Sequence, residues 1–321
     1  MTTTLGGTAT DIMVIPTGSS ATITFNVTVD GTVFTATSAA VELEKGSSYK
    51  YTLTLNSTFM GVSEVSVTPW NPVTKESLTL EKVQANANTG PTVNSAGKAN
   101  GVYAVTAEGE LIAYNDAAVD ATCLGVALIT DNQRIMIEKT ESYDATNTTF
   151  YWGTNLNYKN VAGITEISTG NGYLPKADGT YQSTPNLSSD YTTWTSGALS
   201  DFNGKNNTNA IITAYAEHSV EMDARDMCKV LQTFNAGTYG SNQGFTDWYI
   251  PAEGQLALIY LNKTAINEAL TAIGGTTFSD NYYWSSSEYS SSDGWRVYFF
   301  NGNVLCDDKY LDKRVRFVRD I

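Results

Sequence analysis

Tyr282-Tyr-Trp-Ser-Ser-Ser-Glu-Tyr-Ser-Ser-Ser-Asp-Gly-Trp-Arg-Val-Tyr-Phe-Phe-Asn-Gly-Asn-Val-Leu-Cys-Asp-Asp-Lys-Tyr-Leu-Asp-Lys-Arg-Val-Arg-Phe-Val-Arg319 is the stretch on which the reading of this chain turns. It mixes two kinds of sequence. Trp284, Trp295, Val297, Phe299, Val304, Val315 and Val318 read as core positions. Between them stand Arg296, Tyr298, Phe300, Leu305, Cys306, Asp307, Asp308, Tyr310, Leu311 and Asp312, which follow no compositional logic. Arg296, Tyr298 and Phe300 alternate with Trp295, Val297 and Phe299, so on a strand the two sets point to opposite faces. One set can build a core while the other looks outward.

The bulk numbers narrow the function classes. The chain has 321 residues, enough for two domains. Low charge with abundant Thr, Ser, Asn, Gly and Tyr favours β structure and an extracellular surface. A net charge of -14 argues against nucleic acid, because phosphate binding needs clustered Lys and Arg. The basic residues of 309–319 are interleaved with Asp312 and preceded by Asp307 and Asp308. Cys123, Cys228 and Cys306 share no metal-ligand spacing and read as two core thiols and one surface thiol. His218 is the single histidine, which excludes a histidine-based metal cluster. No run approaches the roughly eighteen apolar residues of a membrane-crossing helix. Met1 precedes Thr-Thr-Thr with no basic or apolar leader region, and the composition points to an exported protein whose signal segment has been removed.

Residues 5–80 read as a β-sandwich-like unit. Asp11-Ile-Met-Val-Ile-Pro16 is a short apolar run. The stretches 21–29, 32–36, 49–55 and 62–70 largely alternate apolar and polar residues, and Asp30-Gly31 is a hairpin signal. Ile12-Met-Val-Ile-Pro16, Gly46-Ser-Ser-Tyr-Lys-Tyr-Thr-Leu-Thr-Leu-Asn56 and Val65-Ser-Val-Thr-Pro-Trp70 together resemble the C-terminal β-domain of fimbrillin-type pilus proteins. That resemblance implies a surface pilus subunit or tip, or such a domain reused as a stalk; the larger N-terminal domain and lipobox cysteine of the family are absent from this sequence.

Residues 81–98 lose periodicity and gather Asn, Gly, Pro and Ser, the composition of a linker. From residue 99 a second unit follows. Strands are expected at 102–106, 110–114, 123–129 and 134–138, then a long loop-rich insertion over 140–210 anchored by Trp152 and Trp194. Helices are expected over 219–234, with Val220, Ala224, Met227, Cys228 and Leu231 on one stripe, over 251–261 with Pro251 opening it, and over 264–273 ending at Gly274-Gly275.

Hairpin, two helices and a β-rich end resemble the C-type-lectin-like fold. Asp201-Phe-Asn-Gly-Lys205, Gly244-Phe-Thr-Asp-Trp-Tyr-Ile-Pro251, Tyr283-Trp-Ser-Ser-Ser-Glu288, Trp295, Asn301-Gly-Asn-Val304 and Arg314-Val-Arg316 resemble the variable proteins of diversity-generating retroelements over residues 98–321. The fold class implied is an α+β C-type-lectin-like domain preceded by an all-β sandwich-like domain. In that family the C-terminal stretch is rewritten by mutagenic reverse transcription at template adenines. An Asn codon randomised at both adenines, with its final pyrimidine kept, yields Leu, Cys, Asp, Tyr, Phe, Arg or Ser but never Trp, Lys, Glu, Met or Gln. The ligand-binding positions implied are Arg296, Tyr298, Phe300, Leu305, Cys306, Asp307, Asp308, Tyr310, Leu311 and Asp312, and every one is reachable. Trp284, Glu288, Trp295, Lys309 and Lys313 are not reachable. Trp284, Trp295, Asn301, Gly302, Asn303, Arg314 and Arg316 form the scaffold of the site.

Such a surface binds rather than reacts. Aromatics give contact at low entropic loss, and Arg296 with the aspartates gives directed polar contact. The expected partner is a protein or glycan on another cell or phage, with display at the cell surface or outer membrane in a pilus or membrane-anchored assembly, and without a cofactor. Other readings compete. A pilus subunit would use its C-terminal strands for assembly, without diversification. A formylglycine-generating enzyme shares the fold but needs a cysteine pair, for which Cys228 and Cys306 are badly placed. A glycosidase needs two poised carboxylates, and Asp307 and Asp312 lie where variation is expected. The Glu-Pro-Asn, Gln-Pro-Asp and Trp-Asn-Asp motifs of calcium-dependent lectins are missing, and Asp280, Asn281, Asp307 and Asp308 read as turn residues.

Overall fold

The chain divides into two compact units, Met1–Ala85 and Asn86–Ile321. The computed structural model describes the backbone of residues 24–29, 32–37, 47–55 and 60–69 in the first, and residues 89–321 apart from 142–145 and 238–240 in the second. In the first unit β1 (Thr24–Val29) pairs antiparallel with β2 (Thr32–Thr37), and β3 (Ser47–Leu55) with β4 (Met60–Pro69). Val29 lies opposite Thr32, the register of a two-residue connection. The 11–16 run and Asp30-Gly31 fall outside the described residues.

The second unit runs β5 (Gly101–Val105), β6 (Leu111–Ala113), β7 (Gly125–Ile129), β8 (Arg134–Glu138), β9 (Phe150–Tyr151), β10 (Gly172–Tyr173), α1 (Gly204–Glu217), α2 (Met227–Asn235), α3 (Glu253–Leu261), α4 (Lys263–Ala272), β11 (Tyr282–Glu288), β12 (Asp293–Tyr298), β13 (Asn303–Asp308), β14 (Asp312–Lys313) and β15 (Val318–Asp320). An antiparallel five-stranded sheet, β15-β8-β7-β5-β6, joins both ends of the unit. Ser95 Oγ adds a bond to Ile321 O at 3.0 Å. A second antiparallel sheet, β10-β13-β12-β11, carries the candidate site, and β14 pairs with β9. Residues 89–94 are bonded into this unit, Thr89 N and Gly90 N donating to Gly244 O. No helix among the described residues is long and apolar enough to cross a membrane.

Two apolar cores explain the strand patterns. On β7, Val126 and Leu128 enter one core while Ala127 and Ile129 enter the other. On β11, Tyr283 joins the first core and Trp284 the second. Strands buried on both faces lose the polar half of their alternation. Helix α3 lies wholly inside the first core, so Leu256, Ala257, Leu258, Ile259 and Tyr260 are buried around its whole circumference.

The helices differ from the sequence expectation in two places. Helix α1 begins inside the expected insertion and runs past its end at 210, and its buried residues Gly204, Asn207, Thr208, Ile211, Ala214 and Tyr215 follow helical spacing with polar members in the first half. Asn207 Nδ2 donates to Asp201 Oδ2 at 2.7 Å and Thr208 Oγ1 to Gly204 O at 2.7 Å, so buried hydrogen bonds replace the missing apolar residues. Helix α2 starts at Met227, not Ser219. Asp226, fully buried, ends the preceding turn by accepting from Thr154 N, Thr154 Oγ1, Tyr215 Oη and Asp223 N. Pro251 stands ahead of the α3 N-cap Ala252 and accepts from Ser286 N at 2.8 Å. Helix α4 ends as its glycines require: Gly274 has φ +68°, and Gly274 N and Gly275 N donate to Thr271 O and Leu270 O at 3.1 and 2.7 Å. Trp152 and Trp194 are buried anchors of the insertion.

The motifs scattered through the sequence converge on one buried polar seam beside β11. Ser286 Oγ donates to Ile250 O at 2.9 Å, Ser287 Oγ to Asp201 Oδ2 at 2.6 Å, and Glu253 N to Ser287 Oγ at 2.9 Å. These bonds interrupt the β11–β12 register between Trp284 and Glu288. A Cβ at Gly204 would sit 2.4 Å from Gln255 Oε1, and at Gly254 2.5 Å from Leu199 O. Close backbone approach fixes both glycines.

Candidate binding face

The C-terminal residues read as core are inside, most of them by strand parity, with Trp284 buried in the second core although it pairs with Arg296. Trp284, Trp295, Val297, Phe299, Val304, Val315 and Val318 are all buried. Trp284 Nε1 donates to Phe150 O at 3.0 Å and Trp295 Nε1 to Ile167 O at 2.8 Å, so each large anchor also satisfies its polar edge. Gly302, φ +72°, turns the chain between β12 and β13, and its Cβ would collide with Leu174 O and the Tyr260 ring. Asn301 Oδ1 accepts from Asn303 N at 3.0 Å inside that turn. Arg314 and Arg316 converge on Glu141 at 2.7 and 3.0 Å, and Arg316 also stacks 4.7 Å over Phe278.

Opposite Trp295, Val297 and Val304 lies the candidate face. Register places Tyr282 against Tyr298 and Arg296 against Leu305, so these side chains share one face. The Tyr282 and Tyr298 rings stack at 4.1 Å, and Tyr298 meets Phe300 at 5.7 Å. Phe300, Tyr310 and Leu311 are exposed; Tyr298, Leu305, Cys306, Asp307 and Asp308 are half-buried; Asp312 is exposed. Arg296, expected at the open surface, is only 4% exposed. It lies 4.7 Å over Tyr282, donates from Nε to Asp307 Oδ2 at 3.1 Å and from Nη1 to Asn303 Oδ1 at 2.6 Å. Asp307 also lies 2.8 Å from Lys313 Nζ, which sits over the Trp284 and Tyr282 rings at 4.7 and 5.3 Å. Arg296 and Asp307 therefore form an internal brace along the face.

Other expectations shift as well. Asp307 and Asp308 belong to strand β13 rather than to a turn, whereas Asp280 and Asn281 lie in a bend. Cys306 pairs with Trp295 and Asp308 with Asp293, which puts both on the Trp295 side of the sheet instead of beside Tyr298. Asp312 binds Arg225 at 2.9 Å and accepts from Thr149 Oγ1 at 2.8 Å. Tyr282 and Lys313, absent from the binding set, are integral to the face. Tyr282 shares its strand parity with Trp284, which reads as core, so alternation alone does not disclose it; register against Tyr298 does.

Electrostatics favour recognition over turnover. For Asp307 burial works upward, but hydrogen bonds and charges of Lys313 and Arg296 outweigh it and hold the carboxyl below the usual range. The Thr149 hydrogen bond, with Arg225, likewise lowers Asp312. Neither is held protonated as a glycosidic acid must be. Cys228 is fully buried and its thiol is pushed up by burial and then by Asp226. Burial, then Asp293, pushes Cys306 up to about 11. Both thiols are free and neither is activated. Beneath the face, Lys309 and Glu288 form a fully buried pair at 2.5 Å. Lys309 Nζ also donates to Lys159 O and Ser291 O at 3.0 and 2.9 Å and lies 4.7 Å over Trp152. Burial pushes Glu288 up and Lys309 down against their mutual attraction.

Family models match both units of the chain. The family described as "Lcl C-terminal domain" matches residues 146–319, and the family described as "Fimbrillin-like" matches residues 1–70. Among solved structures, a fimbrial protein from Bacteroides ovatus is similar at 16% sequence identity over 70% of this chain and 49% of that one, with a TM-score of 0.40. The chain thus spans about half the length of that protein. A search of the curated proteins finds no match. Both matching families are non-enzymatic, and their union marks a fimbrial-type, adhesin-class protein of the cell surface. With a match over more than half of its length, the chain belongs to the Lcl C-terminal domain family, here a C-type-lectin-like α+β domain following a fimbrillin-like β-domain.

Proposed function

We propose that the second unit is the binding head of a surface-displayed adhesin, diversified by a retroelement at the outward positions of its outer sheet and the turns that close it. The observation that carries this reading is the split along the C-terminal segment. Trp295, Val297 and Phe299 are buried, while Phe300, Tyr310 and Leu311 reach solvent without a structural task. Tyr298, Phe300, Tyr310 and Leu311 supply contact area with Leu305 on the same side of the sheet, and Cys306, Asp308 and Asp312 add contacts at its margin. Arg296 and Asp307 contribute by bracing Tyr282 and Lys313 as well as by contact. The ligand is a protein or glycan on another cell or phage, and recognition is equilibrium binding on a fixed frame. The fimbrillin-like unit, residues 1–80, serves as stalk or pilus attachment. Residues 81–88 suit the connection to the head, because the chain from Thr89 onward bonds to the second unit.

Sequencing the DNA beside the gene tests the proposal. The expected result is a near-copy of the codons for 282–319 that differs only at adenines, next to a reverse-transcriptase gene. If no such copy exists, the diversification reading fails and a pilus subunit with invariant C-terminal strands takes its place.

A further inference from the structure

Tyr158 has the largest exposure of any bulky apolar side chain among the described residues, 76%, and adopts φ +63°. A side chain in this left-handed region costs about 1–2 kcal/mol, so glycine or asparagine is the ordinary occupant. The surrounding bonds hold the conformation. Lys159 N donates to Leu156 O and Ser291 O at 3.0 and 3.1 Å, and Lys159 O accepts from the buried Lys309 Nζ at 3.0 Å. Gly153 N in turn donates to Lys309 O at 3.2 Å. The loop carrying Tyr158 is thus fastened to the residue immediately before Tyr310. Nothing in the packing needs an exposed aromatic there, and strain persisting at a surface residue points to a task outside the fold.

The neighbouring surface gives the partner's chemistry. Tyr310 and Leu311 are exposed, and Asp293 and Asp308 make no ion pair among the described residues. The charge of Asp308 and the hydrogen bond to it hold the Tyr310 phenol above its usual range, with smaller contributions from burial, Tyr158 and Asp293. Asp293 accepts from the Ser290 and Ser292 hydroxyls at 2.8 and 2.6 Å, so both carboxylates are hydrogen-bonded but keep their charge uncompensated. Two phenols beside two such carboxylates suit a cationic side chain, which stacks on the rings and pairs with the acids. A net charge of -14 steers such a partner inward and repels an acidic one.

We infer that Tyr158, outside the segment proposed to vary, is a fixed contact residue at the margin of the binding face and that, with Tyr310, Leu311 and, from the Trp295 side of the sheet, Asp293 and Asp308, it receives a basic protein surface presenting arginine or lysine. The inference rests on the reading of the outer sheet as a binding face. Its test uses the full chain with a capped octa-arginine peptide, an octaglutamate peptide and an uncharged hexasaccharide as probes, followed by calorimetry at about 0.15 M salt. Tyr158→Gly relieves the left-handed strain, so the variant folds at least as stably as the parent. Octa-arginine is expected to bind, with a loss of about tenfold or more in Tyr158→Gly. Binding of octa-arginine that is unchanged in Tyr158→Gly, absent, or matched by octaglutamate overturns the inference, as does stronger binding of the hexasaccharide at Tyr158. Loss in Tyr310→Asp without loss in Tyr158→Gly also overturns it, but leaves the binding face standing. Failure of the diversification reading is scored separately, in the genomic sequence.

Discussion

The seam beside β11 and the face across β12 and β13 draw on the same C-terminal segment under opposite constraints. In the seam, Asp201, Ser286 and Ser287 each answer a group from a distant segment, and Gly204 and Gly254 admit no Cβ. Changing one member strands a buried partner, which costs more than the bond itself was worth. On the face, Phe300, Tyr310 and Leu311 spend their atoms on water. The difference teaches where a diversifying surface can sit: in the turns that close strands whose inward parity is overdetermined, and only partly on their outward parity. Arg296 and Asp307 mark the border, outward by parity yet committed to internal partners.

The sharpest way to break this contrast is Lys309→Ala, beneath the face. It leaves Glu288 buried with Val161 N as its remaining donor. Breaking one side of a buried pair costs about 3–5 kcal/mol. Burial already pushes Glu288 up, so protonation relieves part of the loss in acid, and the defect should be larger at pH 8 than at pH 5. Urea midpoints at the two pH values check it, and Glu288→Gln with Lys309→Met should recover most of the stability. A loss below about 1 kcal/mol at pH 8 would mean that the pair is not structural.

Glu253 offers a finer probe of the seam. It is fully buried at the start of α3, and neither carboxyl oxygen has a donor in hydrogen-bonding geometry. The nearby Ser285 Oγ donates instead to Trp295 O at 3.0 Å. Burial raises the carboxyl from its ordinary 4.5 to about 8, with Ser285 and Arg296 pulling downward and Asp201 pushing upward. The native state therefore holds a proton that the unfolded chain releases. This stabilisation is full below about pH 4.5, falls as pH rises and levels off above about pH 8. Glu253→Gln should flatten the dependence by a few kcal/mol over that window, read as the difference between variant and parent Tm profiles. Parallel profiles would refute a buried neutral carboxyl.

These residues also show what sequence could disclose. Alternation places Trp295 and Val297 on one side of β12 and Arg296 and Tyr298 on the other, because strand geometry is local. Helix α1 was hidden because Asn207 and Thr208 occupy inward positions where an apolar stripe is normally sought, and their partners lie in other segments. The start of α2 depends on Asp226 meeting Tyr215 and Thr154 in space. Arg296 reads as a surface arginine until register puts Asp307, Asn303 and Tyr282 around it. Periodicity is legible; the partners of a polar group brought together by folding are not.

The smallest effect is expected on the face itself, where it is also the most informative. Phe300→Ser and Leu311→Ser remove exposed side chains whose backbones remain held by the β12–β13 turn and by Leu311 N donating to Asp308 O at 2.9 Å. Each should shift stability by no more than about 0.5 kcal/mol, within the range of ordinary surface substitutions. Tyr298→Ser should cost more, because it opens the stack between Tyr282 and Phe300 and uncovers the ring beneath Arg296. A stacked aromatic pair contributes about 0.5–1.5 kcal/mol beyond its buried area. Chemical denaturation of the three variants ranks them. If Phe300→Ser proves as damaging as Tyr298→Ser, the aromatic row is a packing device from end to end, and the freedom needed by an exchangeable surface stops short of β12.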